Sequence, residues 1–129
     1  FEIDGIECFS MEGFLQSLKT ENIYYQRRMC QFVGPEARNR GLRAEKVRGW
    51  KESGILIWQG SEINRFSDEY QQLLVKAYDA LFENKEFREA LRASGKRKLI
   101  HSIGKNDPQQ TILTVKEFCG LLNQLRKKL

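Results

Sequence analysis

The stretch FEIDGIECFSMEGFLQSLK, residues 1–19, contains both kinds of element from which this chain is built. Phe1 and Ile3 alternate with polar residues, Asp4-Gly5 tolerates the two positive φ values of a type I′ turn, and Ile6 and Cys8 resume the alternation. That pattern predicts a β-hairpin. Ser10 is suited to cap a following helix. Met11, Phe14, Leu15 and Leu18 then fall at i, i+3, i+4 and i+7, an apolar stripe of helical period. Glu12, Gln16 and Lys19 lie off that stripe and project together from a neighbouring face.

The same two signals recur outward from this unit. YYQRRMCQF predicts a second helix through Tyr25, Met29 and Phe32, broken at Gly34-Pro35. Pro35 can open a short third helix ending at Gly41. From Arg38 to Lys51, six cations (Arg38, Arg40, Arg43, Lys46, Arg48 and Lys51) gather with little apolar content, which predicts a mobile basic loop. ILIWQGSEI predicts a second hairpin turning near Gly60. Ser67 caps the clearest helix, whose apolar face is Tyr70, Leu73, Leu74, Ala77, Tyr78 and Leu81. EFREALRAS is a short helix stopped by Gly95. KLIHSI reads equally as strand or turn, and SIGKNDPQQ as a loop. Thr114 and Glu117 form a capping box for a last helix running through Leu125. The expected fold is mainly α, a single domain over residues 1–129 with about five helices and one or two short hairpins. No βαβ alternation is visible, which argues against a Rossmann or P-loop domain.

Composition narrows the function classes. At 129 residues and 15.1 kDa the chain suits one domain with its own core. No apolar run reaches the ~20 residues of a membrane helix, so no membrane association is expected, and the cysteine usage points to a cytoplasmic location. Cys8, Cys30 and Cys119 have no metal-ligand spacing and read as buried thiols in a reducing compartment; no metal site is expected. The net charge of +5 favours an anionic partner such as a nucleotide, a nucleic acid or a phosphorylated metabolite.

No GxGxxG, Walker A, HExxH or GxSxG motif occurs. The single histidine, His101, sits in an apolar run and reads as structural. Glu12 has two readings. It is a first-turn carboxylate stabilised by unpaired N–H groups, or it is the acid of a site in which Gln16 and Lys19 meet a sugar hydroxyl and a phosphate. Asp107 is either the acceptor of an Asx turn before Pro108 or a second acid. The aromatics of the first half, Trp58 and Phe66 among them, read as core, with one or two free to stack on a base. The basic run from Arg38 reads as a solvated face or as a phosphate cradle.

The order of residues in this chain resembles the NADAR superfamily. Asp4, Gly5, Ser10, Glu12, Phe14, Gln16, Ser17 and Lys19 follow that family's opening signature, and Arg38, Arg40 and Gly41 are similar to its next block. The stretch from LLVKAYDALF through IGKNDP resembles its long helix, Leu-rich helix and Asp-bearing loop, with Asp107 at the Asp. Gly13 stands where the family has His, and Phe66 where it has Trp; the family's upstream Ser-Asn-Phe strand would precede Phe1.

The resemblance implies hydrolysis of an N-glycosidic bond to a phosphorylated ribose, of the ADP-ribosyl-base or ribosylamine-phosphate type. The substrate is free or attached to nucleic acid, and no metal or organic cofactor is needed. It implies Glu12 as the carboxylate that stabilises an oxocarbenium-like state and orients water, with Asp107 assisting. Gln16 would bind ribose, Lys19 with Arg38 or Arg40 the phosphate, and Trp58 or Phe66 the base. Two alternatives stand beside it: a nucleotide-binding module with weakened catalysis, and a basic protein that interacts with nucleic acid.

Overall fold

The computed structural model describes residues 1–47, 49–100 and 104–129. The first hairpin pairs β1 (Glu2–Ile3) with β2 (Ile6–Glu7), antiparallel and in the register Ile3 opposite Ile6. Asp4 and Gly5 take φ of 51° and 80°, as the type I′ turn requires. Four helices follow: α1 (Met11–Ser17), α2 (Ile23–Met29), α3 (Gly34–Val47) and α4 (Trp50–Ser53). The second hairpin joins β3 (Ile55–Trp58) to β4 (Ser61–Asn64) through Gln59-Gly60, again with two positive φ values, 49° and 83°. Three helices complete the chain: α5 (Asp68–Phe82), α6 (Lys85–Ala93) and α7 (Val115–Arg126). The fold is therefore mainly α with two small antiparallel hairpins, as expected, but with seven helices among the described residues rather than about five.

Caps behave as their residue types dictate. Ser10 accepts from the Gly13 N–H at 2.9 Å, Ser67 caps α5, and Thr114 with Glu117 closes a reciprocal capping box on α7. Asn22 and Asn84 cap α2 and α6 in the same way. Gly95, with φ of 57°, ends the segment after α6.

The principal correction concerns residues 38–51. They do not form a mobile basic loop. The third helix does not stop at Gly41 but runs on to Val47, and α4 follows it. Ala37, Gly41 and Ala44 recur at i, i+4 and i+7 and are buried against α1. A stripe of small residues lets two backbones approach closely, so α3 buries this face through Ala37, Gly41 and Ala44. Of the KLIHSI segment, Lys98 to Ile100 carry no regular structure; His101, Ser102 and Ile103 lie outside the described residues, as does Arg48.

Two apolar clusters hold these elements. The larger joins Ile3, Ile6 and Cys8 of the first hairpin region, Phe14, Leu15 and Leu18 of α1, Trp50, Leu56 and Trp58, and the α5 residues Tyr70, Leu73, Leu74 and Ala77. Phe14 lies at its centre, edge-on to Trp58 at 5.1 Å and to Phe1 at 6.2 Å. The smaller packs Tyr78 of α5 with Leu91 of α6 and with Leu122 and Leu125 of α7. Polar ties specify the arrangement. The buried Gln26 carboxamide donates to the Ser17 and Ile57 carbonyls and accepts from the Gln59 N–H, joining α1, α2 and the second hairpin. Arg65, 1% exposed, pairs with Glu117 at 2.7 Å, donates to the Thr111 carbonyl and lies over the Tyr70 ring. It fastens β4 to the start of α7.

Cys8 and Cys30 are buried free thiols, as expected, whereas Cys119 is half-buried. No described helix is long and apolar enough to cross a membrane, and the described residues contain no cluster of His, Cys, Asp and Glu able to hold a metal.

Candidate functional site

The edge of α1 that carries Glu12, Gln16 and Lys19 packs on α3. Ser10 fixes the start of α1, and spacings of four and three residues stack the three side chains along it. Glu12 is half-buried in the first turn. Its Oε1 accepts from the Gln16 Nε2 at 3.1 Å. The carboxamide of Gln16 is buried, and Gly41 of α3 makes room for it: a Cβ at Gly41 would stand 1.8 Å from Gln16 Oε1. That oxygen is buried with no hydrogen-bond partner among the described residues, and so is Nε of Arg40, the neighbour of Gly41. The Arg40 guanidinium lies over the Phe32 ring at 4.0 Å and meets Glu36 at 3.5 Å. Glu12 also acts on Tyr78 of α5. Burial, first, and the carboxylate charge, second, push that phenol above its ordinary range.

Lys19 ends the same edge. It is 5% exposed, and its Nζ lies 2.5 Å from Glu45 of α3. Trp50 donates its indole N–H to the same Glu45 oxygen at 3.0 Å, and Lys51 stands 3.9 Å from the other. Desolvation lowers the Lys19 pKa by more than Glu45 raises it. For Glu45, burial works upward, but the hydrogen bonds from Lys19 and Trp50, with the charges of Lys19 and Lys51, together outweigh it and hold the carboxyl below its ordinary value. Lys19 therefore reaches an external phosphate only in competition with Glu45. Beside this pair opens a cavity of about 450 Å³ whose wall includes Lys19, Glu21, Asn22, Tyr25, Arg43 and Ala44. Tyr25 and Arg43 are not singled out by the sequence: Tyr25 is one aromatic among several, and Arg43 one cation of a run expected to be a loop, so neither is placed beside Lys19 until α2 and α3 pack.

The remaining sequence candidates lie elsewhere. Arg38 is exposed on α3. Asp107 is exposed and accepts from the Gln109 N–H through Oδ1 at 2.9 Å, the Asx turn that its sequence context allowed. Among the described residues no hydrogen bond or ion pair joins Asp107 to the α1 edge. Trp58 is 6% exposed, packed edge-on against Phe14, and its indole donates to Asp4 at 2.8 Å. Phe66 is 54% exposed and lines a separate cavity of about 590 Å³ with Arg65, Pro108 and Glu117. Of the eight predicted residues, Glu12, Gln16, Lys19 and Arg40 meet at the α1–α3 contact.

The family described as Bacteriophage protein GP30.3 matches residues 1–127. The chain belongs to that family. An uncharacterized 17.1 kDa protein in the Gp30-rIII intergenic region of Enterobacteria phage T4 is 38% identical over 131 residues, spanning 100% of this chain and 84% of that relative. No solved structure matches. The NADAR assignment is thereby overturned: the family that matches across the chain is the phage family, with no NADAR match beside it. The residues behind that assignment have a local explanation. An Asp-Gly turn, a Ser cap and an apolar stripe are what any hairpin leading into a buried helix needs. Gly13, too, has a packing reason, since a Cβ there would lie 2.5 Å from the Phe32 carbonyl oxygen.

Proposed function

We propose that the α1–α3 contact binds a phosphorylated ribose and that Glu12 assists hydrolysis of its N-glycosidic bond. The observation that supports this reading is the pair of buried, unpartnered polar atoms, Gln16 Oε1 and Arg40 Nε, beside the Glu12–Gln16 hydrogen bond. Each such group costs about 1–3 kcal/mol when left unsatisfied. A sugar hydroxyl donates to the first and accepts from the second. Among the described residues Arg40 is held by Glu36 and the Phe32 ring, so its side chain is the wall that moves on entry.

In the reaction, water adds to the anomeric carbon as the C–N bond breaks. The base leaves with the bonding pair and takes up a proton. Positive charge gathers on the ribose, and a nearby carboxylate stabilises it while accepting the proton of the attacking water. Arg43, at the mouth of the cavity beside Lys19, supplies a bidentate donor for phosphate.

A product assay by chromatography and mass detection tests this on the intact chain and Glu12→Gln. The panel is NAD, ribosylamine phosphates, and ADP-ribose linked to guanine in DNA. The intact chain is expected to release free base or amine, and the variant to lose about 10²–10⁴-fold in rate with its thermal midpoint retained. Equal turnover in the variant overturns the assignment. Ligand binding without product makes the site a binding module instead.

A further inference from the structure

The net charge is divided unevenly along the chain. Residues 1–89 hold thirteen Lys and Arg against fifteen Asp and Glu; residues 90–129 hold nine against two. The last forty residues therefore carry a net charge of +7 on a chain whose total is +5. Both acids of that segment are engaged. Glu117 is bound by Arg65, Gln71 and the Thr114 N–H, and Asp107 caps its own turn.

The fold gathers these cations. Arg126, at the end of α7, donates to the Arg97 carbonyl at 2.8 Å and to Ser94 at 3.2 Å, which binds the end of α7 to the segment after α6. Two adjoining cavities result, of about 460 and 480 Å³, with Asn123 and Arg126 in the wall of both. Lys96 and Lys127 line the first, Lys98 and Lys116 the second. All four lysines are exposed and make no ion pair among the described residues, whereas Lys128 is matched by Asp79.

We propose that this α6–α7 groove is a docking surface for the phosphate backbone of a nucleic acid. A single small anion would occupy one compartment. Two adjoining compartments with cations along both fit a ligand whose charge repeats. Asn106 and Asn123 add amide groups for sugar and phosphate oxygens. An anionic membrane is the less suitable partner, because the apolar face of α6 is already committed: Leu91 is buried, and Phe87 packs against the second cluster. The groove is independent of the α1–α3 site and of the reaction proposed there.

The test is fluorescence anisotropy with labelled single-stranded and duplex DNA of about 20 nucleotides, titrated from about 50 to 200 mM salt. It compares the intact chain with Lys96→Glu/Lys127→Glu and with Arg27→Glu/Arg28→Glu, which makes the same charge change on exposed residues of α2. The groove variant is expected to bind at least about tenfold more weakly, with a log–log salt slope on duplex roughly 1.8 shallower for two lost contacts. The α2 variant is expected to lose less than half of that slope change. Circular dichroism confirms that both variants fold. Equal losses in the two variants, or no binding by the intact chain at the lowest salt, overturn the proposal. So does tighter association with vesicles of phosphatidylcholine and phosphatidylserine than with either DNA.

Discussion

Helices α5 and α3 solve the same problem in opposite ways. Each must bury one face, and each is about four turns long. Helix α5 does it with bulk: Tyr70, Leu73, Leu74, Ala77 and Tyr78 are buried along it, and Tyr70 also donates to the Ile112 carbonyl at 2.6 Å. Helix α3 does it by omission. Ala37, Gly41 and Ala44 are buried along it, and what they admit is the polar edge of α1. The first helix holds the core together, and the second holds the candidate site. One should suffer from atoms removed, the other from atoms added.

The largest effect is expected from Leu74→Ala in α5. Leu74 is fully buried in the larger cluster, so its truncation loses both transfer free energy and packing, about 2–5 kcal/mol. Urea unfolding with an unchanged m-value measures it. A loss below about 1 kcal/mol would mean that α5 does not carry the core as its packing indicates.

Gly41→Ala in α3 is the converse experiment and the next in size. The new Cβ meets Gln16 Oε1 at 1.8 Å, and the carboxamide must leave its place beside Glu12. Overpacking of this kind costs about 1–3 kcal/mol. The site should register the change more strongly than the fold: any activity that depends on Glu12 should fall with Gly41→Ala even where the protein remains folded. Full activity with the methyl present would dissociate Gln16 from the chemistry.

The contrast also explains what was legible in the sequence. Leu73, Leu74 and Tyr78 recur with helical period and large side chains, so α5 could be read directly. So could the two hairpins, since Asp4-Gly5 and Gln59-Gly60 carry the positive φ values themselves. Ala37, Gly41 and Ala44 keep the same period but weigh almost nothing on a hydropathy scale, and the cations between them dominate the reading. Half of the candidate site was legible for the same reason. Glu12, Gln16 and Lys19 share a helix edge by spacing alone. Their partners Arg40, Gly41, Glu45 and Trp50 come from elements whose placement depends on tertiary packing. Trp58 could not be assigned its partner either, because Asp4 lies 54 residues away and meets it only when the two hairpins pack.

Acid provides the finest comparison, since each region holds one buried ion pair. Glu117 on the α5 side is bound by Arg65, Gln71 and the Thr114 N–H; Glu45 on α3 is bound by Lys19 and Trp50. Burial raises both carboxyls, but these partners prevail, so each titrates in the folded state below its unfolded value, near 4.3 for a free glutamate. A depressed carboxyl contributes stability that is complete above the unfolded pKa. That contribution is lost as pH falls through the folded pKa, because the unfolded chain takes up the proton first. Stability should therefore be flat from pH 7 to about 5 and fall below about 4.5. Glu117→Gln and Glu45→Gln should each be less stable than the intact chain at pH 7 and show a shallower decline in acid. The Glu117 change should be the larger, because it strands Arg65, the more deeply buried cation, at 1% side-chain exposure against 6% for Lys19. Urea midpoints across that pH range decide it. Equal slopes in all three proteins would remove both pairs from the acid response, and a steeper dependence on Glu45 would make α3, not α5, the region whose electrostatics the fold relies on.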